Sequence, residues 1–228
     1  MIRIFIGYDS KMPALTHVLS QSIYARASKP VSVTPLILTQ LDGILIREYD
    51  PLQSTEFSFS RFLTPYLSNF DGWSIFADND VIAQDDIVKL WNLRDEKYAV
   101  MVVKHAHNPV ESVKFLNMPQ TRYEKKNWSS IMLFNNAKCR ILTPDYVNTA
   151  SGLDLHQFKW LENDHLIGSL PMEWNHLVGY NEPNPNAKLV HYTIGGPYFT
   201  DYSNCEFSQA WWSEHEDMLR VLQLSSTK

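Results

Sequence analysis

Apolar residues fall along this chain in short runs that alternate between two spacings. Residues 2–6 are almost continuously apolar and read as a buried strand. Leu15, Val18, Leu19, Ile23 and Ala27 then recur at helical spacing. Asp9 and Ser10 stand where they can cap that helix, and Pro13 falls in its first turn. Residues 31–38 are β-branched and strand-like, and Pro35 assigns them to an edge or a bulge. Such a strand–helix–strand opening starts a parallel sheet. The pattern predicts a second helix over 56–67, which Pro65 either kinks or restarts. Strands are expected over 73–77, 98–103, 128–134 and 188–193. A short helix is expected from Asp85-Asp86 to Leu93 and another after Asn135-Asn136, with helical pieces over 143–164 broken at Pro144 and Gly152. Asn184-Pro185-Asn186 is a turn, and 207–224 closes as an amphipathic helix with Trp211, Met218, Leu219 and Leu222 on one face. Residues 104–127, polar and holding Pro109 and Pro119, read as a long loop or an excursion over a site. The expected fold class is α/β, a Rossmann-like, mostly parallel central sheet flanked by helices, in one domain spanning 1–228.

Composition narrows the function. Of 228 residues, 44% are hydrophobic and 13% aromatic, enough for a packed core. The net charge of −5 lacks the basic face that nucleic acid requires. Arg122, Lys125 and Lys126 are interrupted by Glu124 and read as a solvated loop. Cys139 and Cys205 show no metal spacing, suggest no disulfide scaffold and fit a reducing compartment as small buried or semi-buried residues. The apolar start ends at Gly7-Tyr8-Asp9, too short for a signal segment, and no run reaches membrane-spanning length. The expectation is a soluble cytoplasmic protein.

The stretch 73–82 carries the most chemistry. An apolar strand feeds Asp78-Asn79-Asp80, and a strand in an open α/β sheet delivers its last residues to the edge where ligands bind. Two hard oxygen donors there suit Mg2+ or Mn2+, and the ion can in turn hold a diphosphate. A D-x-D arises about once by chance in a chain this rich in Asp, so its position after a strand gives it weight. The competing reading is a solvated turn that merely ends the strand. A second piece is the strand ending in His191 before Gly195-Gly196-Pro197. That histidine can be a third ligand beside carboxylates, and glycines let backbone amides approach phosphate oxygens. Alternatively, His191 is a hydrogen-bonded structural residue.

Four blocks together carry a resemblance: the first strand into Gly7-Tyr8-Asp9, Ser60-Arg61-Phe62-Leu63, Phe76-Ala77-Asp78-Asn79-Asp80, and the late strand ending in His191. In order and separation, over most of residues 1–200, they resemble the GT-A glycosyltransferases, specifically glycosyltransferase family 8 with its glycogenin-like and lipopolysaccharide galactosyltransferase-like members. The resemblance implies a GT-A (nucleotide-diphospho-sugar transferase) fold. It also implies a metal-dependent transfer of sugar, with retention, from a UDP-sugar to a saccharide or other hydroxyl acceptor. Residues 1–100 would form the nucleotide-sugar half. Residues 101–228 would form the acceptor side, with the His strand and the C-terminal helix.

By the same resemblance, Gly7, Tyr8 and Asp9 pack on nucleobase and ribose, and Arg61 contacts the donor. Asp78, Asp80 and His191 bind Mn2+ or Mg2+, and Asn79 lies against the ribose. Gly195 and Gly196 form the phosphate turn, and Asp164 stabilises the reacting sugar. On the residues alone, Arg61 could pair with Glu56 or an Asp on the surface, Tyr8 could be core, and Asp9 and Asp164 could be helix caps. The chain departs from the family where Gly195-Gly196-Pro197-Tyr198-Phe199 carries no Lys, where Asn127-Trp128-Ser129-Ser130 replaces Asn-x-Gly, and where Asp164-His165 replaces Asp-Gln. Phosphate charge must then fall to the metal, backbone amides or another residue. Trp174-Asn175-His176 could line an acceptor cleft. Two rivals stand beside the transferase: a non-catalytic nucleotide- or carbohydrate-binding relative, and a sugar nucleotidyltransferase. The second would need a basic Gly-rich loop after the first strand, where Gly7-Tyr8-Asp9 has one glycine and no base. Two carboxylates on one strand end also argue against a glycoside hydrolase, which needs them facing across a sugar.

Overall fold

A computed structural model describes residues 1–48, 53–106 and 124–220. Six strands form the main sheet: β1 (Ile2–Gly7), β2 (Val31–Leu36), β3 (Trp73–Ala77), β5 (Val100–Val102), β6 (Ile131–Asn135) and β7 (Ile167–Ser169), in the order β2-β1-β3-β6-β5-β7. β1 runs parallel to β2 and β3, and β5 parallel to β7, while β6 is antiparallel to both of its neighbours. The sheet is therefore mostly parallel, as expected. β2 lies at its edge, which is where Pro35 can sit without a missing ladder bond.

Side chains alternate across this sheet with the strand period of two. Ile4, Ile6, Ile75 and Leu133 face one core with Leu19 and Ile23 of helix α1 (Pro13–Arg26) and Leu90 of helix α3 (Ile87–Trp91). Phe5, Phe76, Met132 and Phe134 face the other core. There they meet Phe62 and Leu63, Val147 of α4 (Pro144–Thr149) and Leu155 of α5 (Gly152–His156). Both faces are covered, so the strands read as unbroken apolar runs.

A second, three-stranded sheet was not anticipated. It consists of β4 (Val81–Ala83), β8 (His176–Leu177) and β9 (Leu189–His191), with β9 in the middle. Ile82 and Val190 pack under α1 residues Leu15 and Val18 and under Trp211 of helix α6 (Ser208–Leu219). Its strands are two or three residues long, too short to show a period.

Several local expectations change. Helix α1 is capped at Met12 without a side-chain bond, and Asp9 instead accepts from the backbone N–H of Lys11 at 3.0 Å. Pro13 does open the helix. The helix expected over 56–67 is a 3-10 turn, Ser60–Leu63, followed by one α turn, α2 (Thr64–Leu67), which Pro65 restarts. Pro144 and Gly152 begin helices rather than break one, because Thr143 and Ser151 cap them. Lys126 is buried rather than solvated. Glu214 is buried and pairs with Arg26 at 2.6 Å, whereas Leu219, expected on the apolar face of the last helix, is exposed. Most of the expected 104–127 excursion, Leu222 and residues 221–224 of the last helix lie outside the described residues. Among the described residues, no helix is long and apolar enough to cross a membrane.

Candidate functional site

The chain crosses from one sheet to the other through Asp78-Asn79-Asp80. β3 ends at Ala77 inside the main sheet, and β4 begins at Val81 in the small one. Backbone bonds fix both ends of this bridge. The Asp78 N–H donates to the Ser130 carbonyl at 2.9 Å, and the Tyr192 N–H donates to the Asp80 carbonyl at 2.9 Å. The antiparallel register sets Val81 opposite His191, so the last residue of β9 meets the end of the bridge. Residues more than a hundred positions apart thereby bring Asp78, Asp80 and His191 together, with ligand atoms all within 4.8 Å of one another.

The imidazole of His191 is buried, and its tautomer follows from its neighbours. Asn175 Nδ2 donates to the Asn127 carbonyl at 3.2 Å and to Ser130 Oγ at 2.9 Å. A carbonyl only accepts, so the amide cannot be flipped, and Oδ1 must face His191 Nδ1 at 3.0 Å. Nδ1 therefore carries the proton it donates to Asn175. Nε2 is turned toward Asp80 Oδ1 at 3.3 Å, and neither atom has a hydrogen-bond partner among the described residues. Buried polar atoms are ordinarily satisfied. Two carboxylates and an imidazole nitrogen, the last oriented by a polar neighbour, form a donor set that fits Mn2+ or Mg2+.

Electrostatics couple the group. Burial alone would raise the Asp80 carboxyl, but the charge of His191 and then Arg61 hold it below its ordinary value of 3.8. For His191, burial works downward, yet the carboxylates of Asp80 and Asp78 raise it above 6.5. Burial pushes the Tyr198 hydroxyl well above 10.0, and the nearby Asp80 carboxylate adds to that, so Tyr198 stays a neutral donor beside the cluster.

Arg61 and the first-strand loop join the cluster through Phe57. A Cβ on Gly7 would lie 2.4 to 2.6 Å from the Phe57 ring, so only glycine lets that ring seat against the end of β1. The Phe57 carbonyl accepts from Arg61 Nε at 3.3 Å, and the buried guanidinium lies over the rings of Phe57 and Phe76. Its Nη1 reaches Asp78 Oδ1 at 2.7 Å and the Ser129 carbonyl at 3.0 Å. Arg61 is thus no surface residue, and it holds one of the candidate ligands. Asp9 is buried and accepts from the Glu56 N–H at 3.4 Å, which ties the first loop to the segment that carries Phe57. Tyr8 is half-buried beside it. Asn79 is buried, with Nδ2 unpartnered among the described residues.

Other expected site residues sit differently. Gly195, at φ +139, makes room for Tyr202, and Gly196 makes room for Tyr198. Both glycines thus have a packing reason of their own. Asp164 is not part of the three-residue cluster. Its largely exposed carboxylate pairs with Lys125 Nζ at 2.6 Å, and Lys125 also donates to the Gln157 carbonyl at 2.9 Å. Trp174, Asn175 and His176 are all buried, so they do not line an open cleft. Asn175 and Ser130, which hold His191 and the Asp78 segment, are not marked in the sequence as parts of this site.

Comparison with known proteins supplies the remaining context. No family model matches the chain. It is 46% identical over 224 residues to Protein CDI of Arabidopsis thaliana, a match covering 94% of this chain and 86% of that one. Among solved structures it superposes on the bifunctional glycosyltransferase WbbM with a TM-score of 0.66 at 16% identity, covering 94% of this chain and 49% of WbbM. It also superposes on the galactosyltransferase LgtC, solved with donor and acceptor sugar analogues, with a TM-score of 0.62 at 11% identity, covering 97% and 98%. The glycosyltransferase GlyE of Streptococcus pneumoniae gives 0.63 at 13% identity, covering 96% and 63%. The chain thus spans about half of WbbM and under two thirds of GlyE, but nearly all of LgtC. It therefore belongs to the family of Protein CDI, and its fold is the GT-A fold of these LgtC-like glycosyltransferases.

Proposed function

We propose that this chain is a glycosyltransferase that moves a sugar, a hexose in our reading, from a UDP-sugar to a saccharide or other hydroxyl acceptor with the help of Mn2+ or Mg2+. One observation carries the reading: Asp78, Asp80 and His191 converge where the two sheets meet, with Asp80 Oδ1 and His191 Nε2 turned to the same point 3.3 Å apart and no other partner for either atom among the described residues. These three residues would hold the ion, which when bound supplies positive charge against the departing diphosphate.

The chain's own groups do the rest. Arg61 fixes Asp78 so that its carboxylate is already oriented. The buried Nδ2 of Asn79 has a donor to offer a ribose, and Gly7, Tyr8 and Asp9 form the wall on which the nucleoside packs. Of the two glycines only Gly196 has a backbone amide to offer to phosphate, since the Gly195 N–H is already donated to the Tyr192 carbonyl at 2.9 Å, and Tyr198 is the donor where a Lys is absent. Asp164 would stabilise the oxocarbenium-like sugar, and its bond to Lys125 must yield for it to do so. Residues 1–100 contribute most of the donor side, and 101–228 contribute His191 and the acceptor side. Retention of configuration and a cytoplasmic location belong to the same proposal.

The test is release of UDP from a panel of UDP-sugars, with Mn2+ and then with EDTA. Metal-dependent release from one donor is the expected outcome, and no release from any UDP-sugar contradicts it. The Lys125–Asp164 pair and the lack of a Lys after His191 favour one second reading, a relative that binds nucleotide without turnover. UDP binding without release from any donor would select it.

A further inference from the structure

We infer that Asn175 is the positioning residue of the metal centre, fixing His191 so that Nε2 and not Nδ1 is presented. The inference rests on the metal reading of Asp78, Asp80 and His191 given above. Four observations carry it. Asn175 is fully buried, yet every polar atom of its side chain is engaged. Its orientation is forced, because the Asn127 carbonyl cannot donate. Ser130 Oγ itself donates to that same carbonyl at 2.6 Å, so the acceptor side of the network is closed. The network also reaches the carboxylates, since the Ser130 carbonyl receives the Asp78 N–H.

The local fold explains why an asparagine stands there. Asn175 ends a 3-10 turn, Met172–Asn175, immediately before β8, which pairs in parallel with β9 so that Leu177 matches His191. The residue preceding β8 is thereby brought beside the His191 ring. Asparagine supplies one acceptor for the imidazole and two donors for the 127–130 segment. An aspartate would keep the acceptor and lose the donors, and an alanine would lose both. Groups that orient a ligating histidine typically change metal affinity by about 10–100-fold when removed.

The ranking of these two variants separates positioning from simple structural support. If Asn175 acts through His191, Asn175→Asp keeps Mn2+ affinity within about fivefold of wild type, while Asn175→Ala loses about 10–100-fold. If its importance lies in holding the 127–130 segment, the aspartate sets a carboxylate against the Asn127 carbonyl and is the worse of the two. A double-mutant cycle sharpens this. In a His191→Ala background, Asn175→Ala should weaken Mn2+ binding no further, since the group it acts through is gone.

Mn2+ titration of the full chain followed by electron paramagnetic resonance reads all five proteins directly, without turnover. Aspartate better than alanine, together with a closed cycle, is the expected result. Equal affinities for wild type and Asn175→Ala, or an aspartate variant weaker than the alanine variant, overturn the inference and leave the metal site standing. Failure of the wild-type chain to bind Mn2+ overturns the metal reading itself, and this inference with it.

Discussion

The two sheets of this molecule are built on different principles. The six-stranded sheet is held by apolar contact on both faces, with Ile75, Phe76 and Leu133 wholly buried between helices. The three-stranded sheet is made of strands too short to specify themselves. Its register is set by packing under α1 and α6 and by polar bonds such as the one from the Ala83 N–H to Ser22 Oγ at 2.9 Å. The large sheet supplies Asp78 at a strand end, and the small sheet supplies His191 and fixes Asp80. The scaffold is thus specified by hydrophobic pattern, and the completion of the site by register. Damage to the first should unfold the protein, whereas damage to the second should disarm it.

The largest expected effect breaks the site alone. Asp80→Asn should reduce Mn2+-dependent UDP binding at least about 100-fold with only a small loss of stability near neutral pH, since His191 can release its proton once its carboxylate partner is gone. Asp78→Asn should lose binding equally but also destabilise by about 3 kcal/mol, because the buried Arg61 guanidinium loses its carboxylate partner. Calorimetry and thermal melts on the two variants check this, and two variants of equal stability would refute the role given to Arg61.

Next, the sheets themselves can be compared. Leu133→Ala should cost about 2–5 kcal/mol in denaturant unfolding yet leave Mn2+ affinity of the folded protein nearly unchanged. Val190→Ala, smaller and in β9, should cost less stability and still weaken Mn2+ several-fold through His191. The reverse ranking would show that the division drawn here is wrong.

A smaller effect concerns the link between loop and ligand. Gly7→Ala forces the Phe57 ring to shift and should cost about 1–3 kcal/mol, with a modest loss of nucleotide affinity as Arg61 follows. Thermal melts with and without UDP would detect both.

The smallest effect is the pH dependence of the metal-free protein. Asp80 is lowered, so its contribution is complete above 3.8 and is lost as pH falls through its folded value. His191 is raised, so its contribution is complete below 6.5 and is lost as pH rises through its folded value. The pair should therefore stabilise the EDTA-treated protein most between those two pH values, and His191→Ala should flatten the profile. A wild-type profile with no maximum in that window would contradict the coupling.

The same division explains what was legible in the sequence. β1, α1, β3 and the parallel opening were readable because long apolar runs and helical spacing survive any tertiary context. Asp78, Asp80 and His191 were readable as candidates because Asp78 and His191 end apolar runs and Asp80 stands two residues beyond Asp78, just before the next. The small sheet was not, since two-residue strands have no period. Lys126 misled because a charged residue in a polar stretch is assigned to solvent by default, although it is buried in the fold. Asn175 was placed in an acceptor cleft for its neighbour Trp174, although its meaning lies in a hydrogen bond to a strand sixteen residues later.

The most direct test of the central claim is calorimetric titration of UDP into the purified chain, first with EDTA and then with Mn2+. The account predicts binding with Mn2+ that is abolished or reduced at least about 100-fold by EDTA. UDP binding of equal strength in both conditions, or no binding in either, would contradict it.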